Sequence, residues 1–222
     1  MIKVCNVTKQ IKGKTVLDKI NFELEKGKIY GLEGHNGSGK TMFLRLLCRL
    51  ILPSSGEVII DDNTTFGVLI ENPGFLFNET GFNNLKFLAS INKKIGFKEI
   101  EQVLKDVGLY DSKDIKVKKY SLGMLQKLGI AQAIMETPNV LLLDEPFNAL
   151  DEESVKITKK LLLKAASNGT SIIIVSHTLQ DFKHCCDYLY TMNNGNLKLM
   201  ESKTNDWIQR KIFRVSKKFI KD

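Results

Sequence analysis

The residue pattern specifies an α/β fold: a buried, mostly parallel sheet, preceded by antiparallel strands and interrupted midway by helices. Three observations carry this. Continuous apolar runs at residues 140–143 and 171–175 are what strands covered on both faces look like. Alternation of apolar and polar residues over 2–7 and 20–24 marks strands with one wet face. Across residues 75–135 the apolar positions fall three to four apart, as in helices, with Leu85, Leu88 and Ile91, then Ile100, Val103, Leu104 and Val107.

Taken in chain order, residues 2–7 form a first strand. Residues 15–17 follow a Lys-Gly-Lys turn, and 20–24 alternate again. The turn Glu25-Lys26-Gly27-Lys28 leads into a buried strand at 29–32. A glycine-rich loop then opens a helix with Phe43, Leu46, Leu47 and Leu50 at helical spacing, and Pro53-Ser54-Ser55-Gly56 ends it. A strand at 57–60 is followed, after the helical stretch, by strand 140–143, helix 152–167 and strand 171–175. Asn193-Asn194-Gly195-Asn196 is a hairpin turn between strands at 188–190 and 197–199. His184 is expected on a helix.

The chain has 222 residues, 43% hydrophobic and 26% charged, the balance of a globular protein with one sizeable core. No apolar run approaches the roughly 18–20 residues that span a bilayer. Residues 1–6 lack the apolar stretch of a secretory signal. The expected location is therefore inside the cell, with any membrane role supplied by a partner. The net charge of +8 comes from lysines scattered along the chain rather than clustered with aromatics, so no nucleic-acid partner is expected. Cys5, Cys48, Cys185 and Cys186 lack metal or disulfide-framework spacing and read as reduced, mostly buried small hydrophobes.

Gly34-His35-Asn36-Gly37-Ser38-Gly39-Lys40-Thr41 fits G-x-x-x-x-G-K-[ST] between a strand and a helix. Glycines let successive N–H groups turn inward around a β-phosphate at the positive end of a helix dipole. Lys40 reaches the β- and γ-phosphates, and Thr41 offers a hydroxyl to Mg²⁺. His35 fills a free position of the pattern and has no chemistry of its own. Residues 140–143 bury a strand that delivers Asp144 and Glu145 at its C-terminal end, where open α/β sheets bind ligands. Asp144 would hold Mg²⁺ through water, and Glu145 would polarise the attacking water. His177, closing the next buried strand, is placed to stabilise a γ-phosphate and orient that water. These residues make the fold a P-loop NTPase core with an N-terminal antiparallel β subdomain and an inserted α-helical subdomain. It is read as one domain over residues 1–222, the core being 1–74 and 136–222 and the helical part 75–135.

The order of these motifs resembles the nucleotide-binding domain of ABC transporters, over nearly the whole chain. Tyr120-Ser121-Leu122-Gly123-Met124-Leu125-Gln126-Lys127 is similar to that family's signature L-S-G-G-Q-x-Q-R, with Ser121, Gly123 and Gln126 kept and Leu122 and Met124 as departures. Residues 147–151 resemble its D-loop, and His177 matches its switch histidine. The resemblance implies an ATPase that dimerises around two ATP and drives a separate integral-membrane permease. Ser121 and Gly123 of one subunit would meet the γ-phosphate held by the other. It implies a cytoplasmic location on the inner face of the membrane, held there by the permease. Where the family stacks an aromatic on adenine, this chain has Ile11. Where it has a core-to-insertion Gln, this chain has Glu71, still able to meet Mg²⁺ or the attacking water. Ile70-Glu71-Asn72-Pro73-Gly74-Phe75 and the Ser121-Leu122-Gly123-Met124 run resemble bacitracin-resistance and lantibiotic-immunity ATPases, which implies export of antimicrobial peptides or drugs. The basic, amphipathic residues 207–222 read as a helix docked on the domain, with a membrane surface or a partner as the alternative. The rivals are a soluble ABC-type ATPase acting on nucleic acid or ribosomes, and a P-loop small-molecule kinase. The first lacks the long heptads or second P-loop it would need, and the signature and His177 argue against the second.

Overall fold

A six-stranded sheet organises the molecule, and two apolar cores lie on its opposite faces. The computed structural model describes residues 2–71 and 74–202. The strands are β1 (Ile2–Ile11), β2 (Lys14–Leu24), β3 (Ile29–Glu33), β4 (Ser55–Ile60), β5 (Phe66–Leu69), β6 (Val140–Asp144), β7 (Ser171–Ser176), β8 (Tyr188–Asn193) and β9 (Asn196–Ser202). The helices are α1 (Lys40–Leu47), α2 (Gly81–Asn92), α3 (Phe97–Asp106), α4 (Leu122–Ile134) and α5 (Glu152–Ser167). β2, β1 and β4 form an antiparallel sheet, and β5-β6-β7-β3-β8-β9 form the larger one. Within that sheet β5, β6, β7, β3 and β8 pair in parallel, and β9 closes the edge antiparallel to β8.

Strand alternation decides which core each side chain joins. On β6, Leu141 and Leu143 enter one core and Val140 and Leu142 the other. On β7, Ile172 and Ile174 go one way and Ile173 and Val175 the opposite way. The first core continues into the helices, through Leu85, Ile100, Leu104, Leu128 and Ile130, and into α5 through Leu162. The second holds the antiparallel sheet and α1, through Val4, Phe22, Phe43 and Leu47. The continuous apolar runs are thus continuous because both faces of the sheet are covered.

Four expectations are corrected. Residues 15–17 and 20–24 belong to one strand, β2, whose pairing with β1 is broken by register shifts near Asn6 and Lys19, both at positive φ. The P-loop helix stops at Leu47, before Pro53. Arg49 turns left-handed at φ 58°, and Leu50 falls beyond the helix, 67% exposed. Residues 66–69, given no element between the strand at 57–60 and the helical stretch, are strand β5, paired with β6 from Phe66↔Val140 to Leu69↔Leu143. His184 sits in a turn after a short 3-10 helix, at φ 64°, and is not helical. Of the cysteines, Cys185 and Cys186 are buried, while Cys5 and Cys48 are only half-buried. Residues 207–222 lie outside the described residues, as do Asn72 and Pro73 of the Glu71 segment. No described helix is long and apolar enough to cross a membrane.

Candidate functional site

The loop between β3 and α1 is built to receive an anion. α1 begins with no side-chain cap, leaving its first N–H groups for a ligand. Gly39, just before it, has φ 112°, and a Cβ there would come within 2.8 Å of the Val16 carbonyl. A Cβ on Gly34 would come within 2.4 Å of the Met192 carbonyl. The loop therefore packs backbone against backbone on β2 and β8, which holds its curl. Lys40 is buried and donates to the Gly34 carbonyl (2.7 Å) and the His35 carbonyl (3.1 Å), so its ammonium lies across the loop's own rim. Ser38 Oγ is buried with no partner among the described residues. An orphaned hydroxyl beside uncapped N–H groups suits a phosphate.

An open cleft of about 400 Å³ lies over this loop. Asn36, Gly37, Gly39, Lys40, Thr41, Asp144 and Glu145 line it, joined by Glu71, Gln126 and Asn148. Thr41 Oγ1 donates to Asp144 Oδ2 at 2.6 Å, linking the start of α1 to the end of β6. Burial, chiefly, pushes the Asp144 carboxyl above its ordinary range. The Thr41 hydrogen bond and Lys40 oppose that shift, while the charges of Glu145 and Glu71 add to it. A hydroxyl beside a carboxylate of this kind is a donor set for a hard cation such as Mg²⁺, which takes one or two carboxylates and completes its shell from water and phosphate.

Glu145 follows at φ 48°, a left-handed conformation that costs a non-glycine residue about 1–2 kcal/mol. The twist turns its carboxylate toward β7. There Oε1 accepts from the His177 backbone N–H (3.1 Å) and from His177 Nδ1 (2.9 Å). A carboxylate offers no proton, so Nδ1 must carry one. Ser176 Oγ lies 3.3 Å from Glu145 Oε2 and 2.5 Å from Asp181 Oδ2. It has one proton, and the shorter contact takes it. Gln126, from α4, donates to the Glu145 carbonyl at 3.0 Å, so α4 holds the turn after β6 through its backbone.

The expected residues therefore divide. Lys40, Thr41, Asp144 and Glu145 converge on one cleft, with His177 bound to Glu145. The ring of His35 lies within hydrogen-bonding distance of the Asn36 carbonyl and the Asn193 side chain and does not line the cleft. Glu71 lines it, with its carboxylate paired to Arg45 Nη2 at 2.6 Å. Ser121 and Gly123 do not line the cleft. Ser121 caps α4, accepting from the Met124 N–H at 3.2 Å, and Gly123 packs against the Ala149 carbonyl. Ile11, 38% exposed at the end of β1, is not at the cleft, whereas Val16 is. Sequence reasoning gave no role to Val16, Met42 or Arg45. Gln126 and Asn148 carried a signal, as a retained signature residue and as part of the D-loop run.

Comparison with known proteins agrees with this geometry. The ABC transporter family model matches residues 17–148. The chain is 45% identical over 210 residues to the uncharacterized ABC transporter ATP-binding protein YybJ of Bacillus subtilis, covering 90% of this chain and 96% of that protein. It is 40% identical over 208 residues to the bacitracin transport ATP-binding protein BcrA of Enterococcus faecalis, covering 89% of this chain and 68% of that one. Among solved structures, the dimeric MJ0796, a bacterial ABC transporter cassette, superposes with a TM-score of 0.81 at 24% identity, covering 91% of this chain and 100% of that one. At that identity the likeness is one of fold.

Proposed function

The chain belongs to the family of ABC transporter ATP-binding subunits, and from that premise we propose that two copies close on two Mg·ATP to drive a separate integral-membrane permease. The observation carrying this is the convergence of Lys40, Thr41, Asp144 and Glu145 on the P-loop cleft, with His177 clasping Glu145. The loop N–H groups bind the β-phosphate, and Lys40 exchanges its two loop carbonyls for phosphate oxygens. Thr41 and Asp144 hold the cation, which when bound offsets the negative charge on the transferring phosphoryl group. Glu145 accepts a hydrogen bond from the attacking water, and the Nδ1 proton of His177 fixes that carboxylate. Val16 gives the adenine side of the cleft an aliphatic wall. Ser121 and Gly123 sit at the start of α4, on the helical segment 75–135, away from their own cleft. That placement supports their meeting the partner copy's γ-phosphate.

The test is Glu145→Gln, which keeps the shape but removes the anion. Hydrolysis is expected to fall by about 10²-fold or more, with ATP affinity retained and an ATP-dependent dimer accumulating on size-exclusion chromatography. Turnover at the wild-type rate would remove Glu145 from this role.

For cargo, we propose antimicrobial peptides, such as bacitracin or lantibiotics, or drugs, cleared from the membrane by a permease that holds this subunit at the inner face of the cell membrane. The support is the bacitracin-transport relative together with Glu71, Leu122 and Met124. Expression with the neighbouring membrane subunits should protect a sensitive host, and unchanged sensitivity to bacitracin and to lantibiotics would count against this cargo. The relatives carry transporter names and lend nothing to a role on nucleic acid or ribosomes.

A further inference from the structure

Helix α1 carries two polar side chains one turn apart on one face, Thr41 and Arg45. Each reaches an acid at, or just past, the end of a neighbouring parallel strand. Thr41 Oγ1 donates to Asp144 Oδ2, at the end of β6. Arg45 Nη2 donates to Glu71 Oε1 at 2.6 Å, two residues past the end of β5. Because Leu69 pairs with Leu143, the two acids stand at adjacent strand ends, with Glu145 next to them. Glu71 holds φ 59°, a left-handed conformation unusual for a residue with a side chain, so the turn itself is set to present it.

Three carboxylates, Glu71, Asp144 and Glu145, thus line one cleft that must accept a triphosphate. The charge of Glu71 is felt at Asp144, where it is one of the influences holding that carboxyl high. The Arg45–Glu71 pair is 32% and 61% exposed, and exposed pairs contribute little to folding stability. Its value lies in what it does to the field over the phosphates.

We propose that Arg45 is a positioning residue that converts Glu71 into a neutral polar unit, keeping a third bare carboxylate away from the nucleotide until the cation arrives. The inference rests on the nucleotide-site reading above. Paired, Glu71 is an acceptor whose charge is cancelled by the Arg45 guanidinium, so the pair carries no net charge. Unpaired, it adds a full negative charge beside the phosphates, most felt when no divalent cation offsets them. Arg45 touches neither substrate nor reacting atoms in this scheme and acts through Glu71.

The experiment is equilibrium binding of a fluorescent ATP analogue to the full chain, in Mg²⁺ and in EDTA, at low and high salt. Arg45→Ala is expected to weaken binding in EDTA by about 3–10-fold at low salt. The loss should shrink in Mg²⁺ and at high salt, because the effect is coulombic. Arg45→Lys keeps the charge and should stay near wild type, whereas Glu71→Gln leaves the Arg45 cation unpaired and should bind at least as tightly as wild type in EDTA. The double variant Arg45→Ala with Glu71→Gln should return to within about twofold of wild type, since both charges of the pair are gone and no bare carboxylate remains. Rescue of that kind is foreign to a packing role for Arg45, and thermal melting of each variant checks the fold. Unchanged EDTA binding in Arg45→Ala, or a double variant as weak as Arg45→Ala, overturns the proposal. A wild-type chain that binds no nucleotide in either condition takes down the nucleotide-site reading and this inference with it.

Discussion

Asp144 shows how one residue serves two states. With its carboxyl held above the ordinary range, the folded protein keeps that proton more tightly than the unfolded chain does. The associated stability is present below the unfolded value and is lost as pH rises through the folded one. At neutral pH without a cation, Asp144 is therefore a liability, one that a cation held there would offset. Asp144→Asn should raise the melting temperature of the nucleotide-free protein, by roughly 2–5 °C. It should also abolish the extra stabilisation that Mg²⁺ adds to ATP. Differential scanning fluorimetry across pH checks both, and the gain should vanish in acid, where wild-type Asp144 is itself protonated. A lower melting point for the variant at neutral pH would mean that the Thr41 hydrogen bond outweighs burial.

Strand β5 is the element on which the helical segment rests against the sheet. Gly67 faces α4 so closely that a Cβ would stand 1.9 Å from the Ala133 carbonyl oxygen, backbone with no side chain to yield. Gly67→Ala must push α4 off the sheet, or bend β5 away from β6. We expect a loss of about 2 kcal/mol or more, read as a lower denaturant midpoint. Because α4 also carries Gln126 to the Glu145 carbonyl, ATP turnover should fall further than the melting shift explains. Wild-type stability in Gly67→Ala would show that α4 is held elsewhere. This contact escapes sequence reading because four residues between an Asp-Asn turn and a Glu-Asn-Pro-Gly turn look like loop. They become a strand only because β6 offers them an edge.

For the whole molecule, Ser121 and Gly123 do not line the P-loop cleft of their own chain. On the composite-site reading proposed above, they meet a phosphate only when a second copy is present. Ser121→Arg should leave nucleotide binding intact, because the cleft of its own chain is untouched. It should cut hydrolysis by about 10²-fold by filling the space of the partner's γ-phosphate. Full hydrolysis by that variant would break the composite-site model. Mixing Ser121→Arg with Lys40→Ala chains sharpens the test, since one cleft in each mixed dimer then pairs a wild-type P-loop with a wild-type signature.

Much of this was legible in the chain because it depends on short-range physics. Buried parallel strands must be apolar throughout, which exposed β6 and β7 and the acids at the end of β6. A phosphate loop needs its glycines and lysine at one spacing, so residues 34–41 could be read directly, as could helix α5, which runs over the very residues its periodicity marked. What folding alone decided are contacts between residues far apart in sequence and weakly patterned: Arg45 with Glu71, Gln126 with the Glu145 carbonyl, Glu145 with His177. The same holds for the choice of core at each strand position, since alternation separates two faces but cannot say what will cover them. Local pattern reports a residue's conformation and burial. Its partner across the cleft depends on how whole elements pack, and that information is spread over the entire chain.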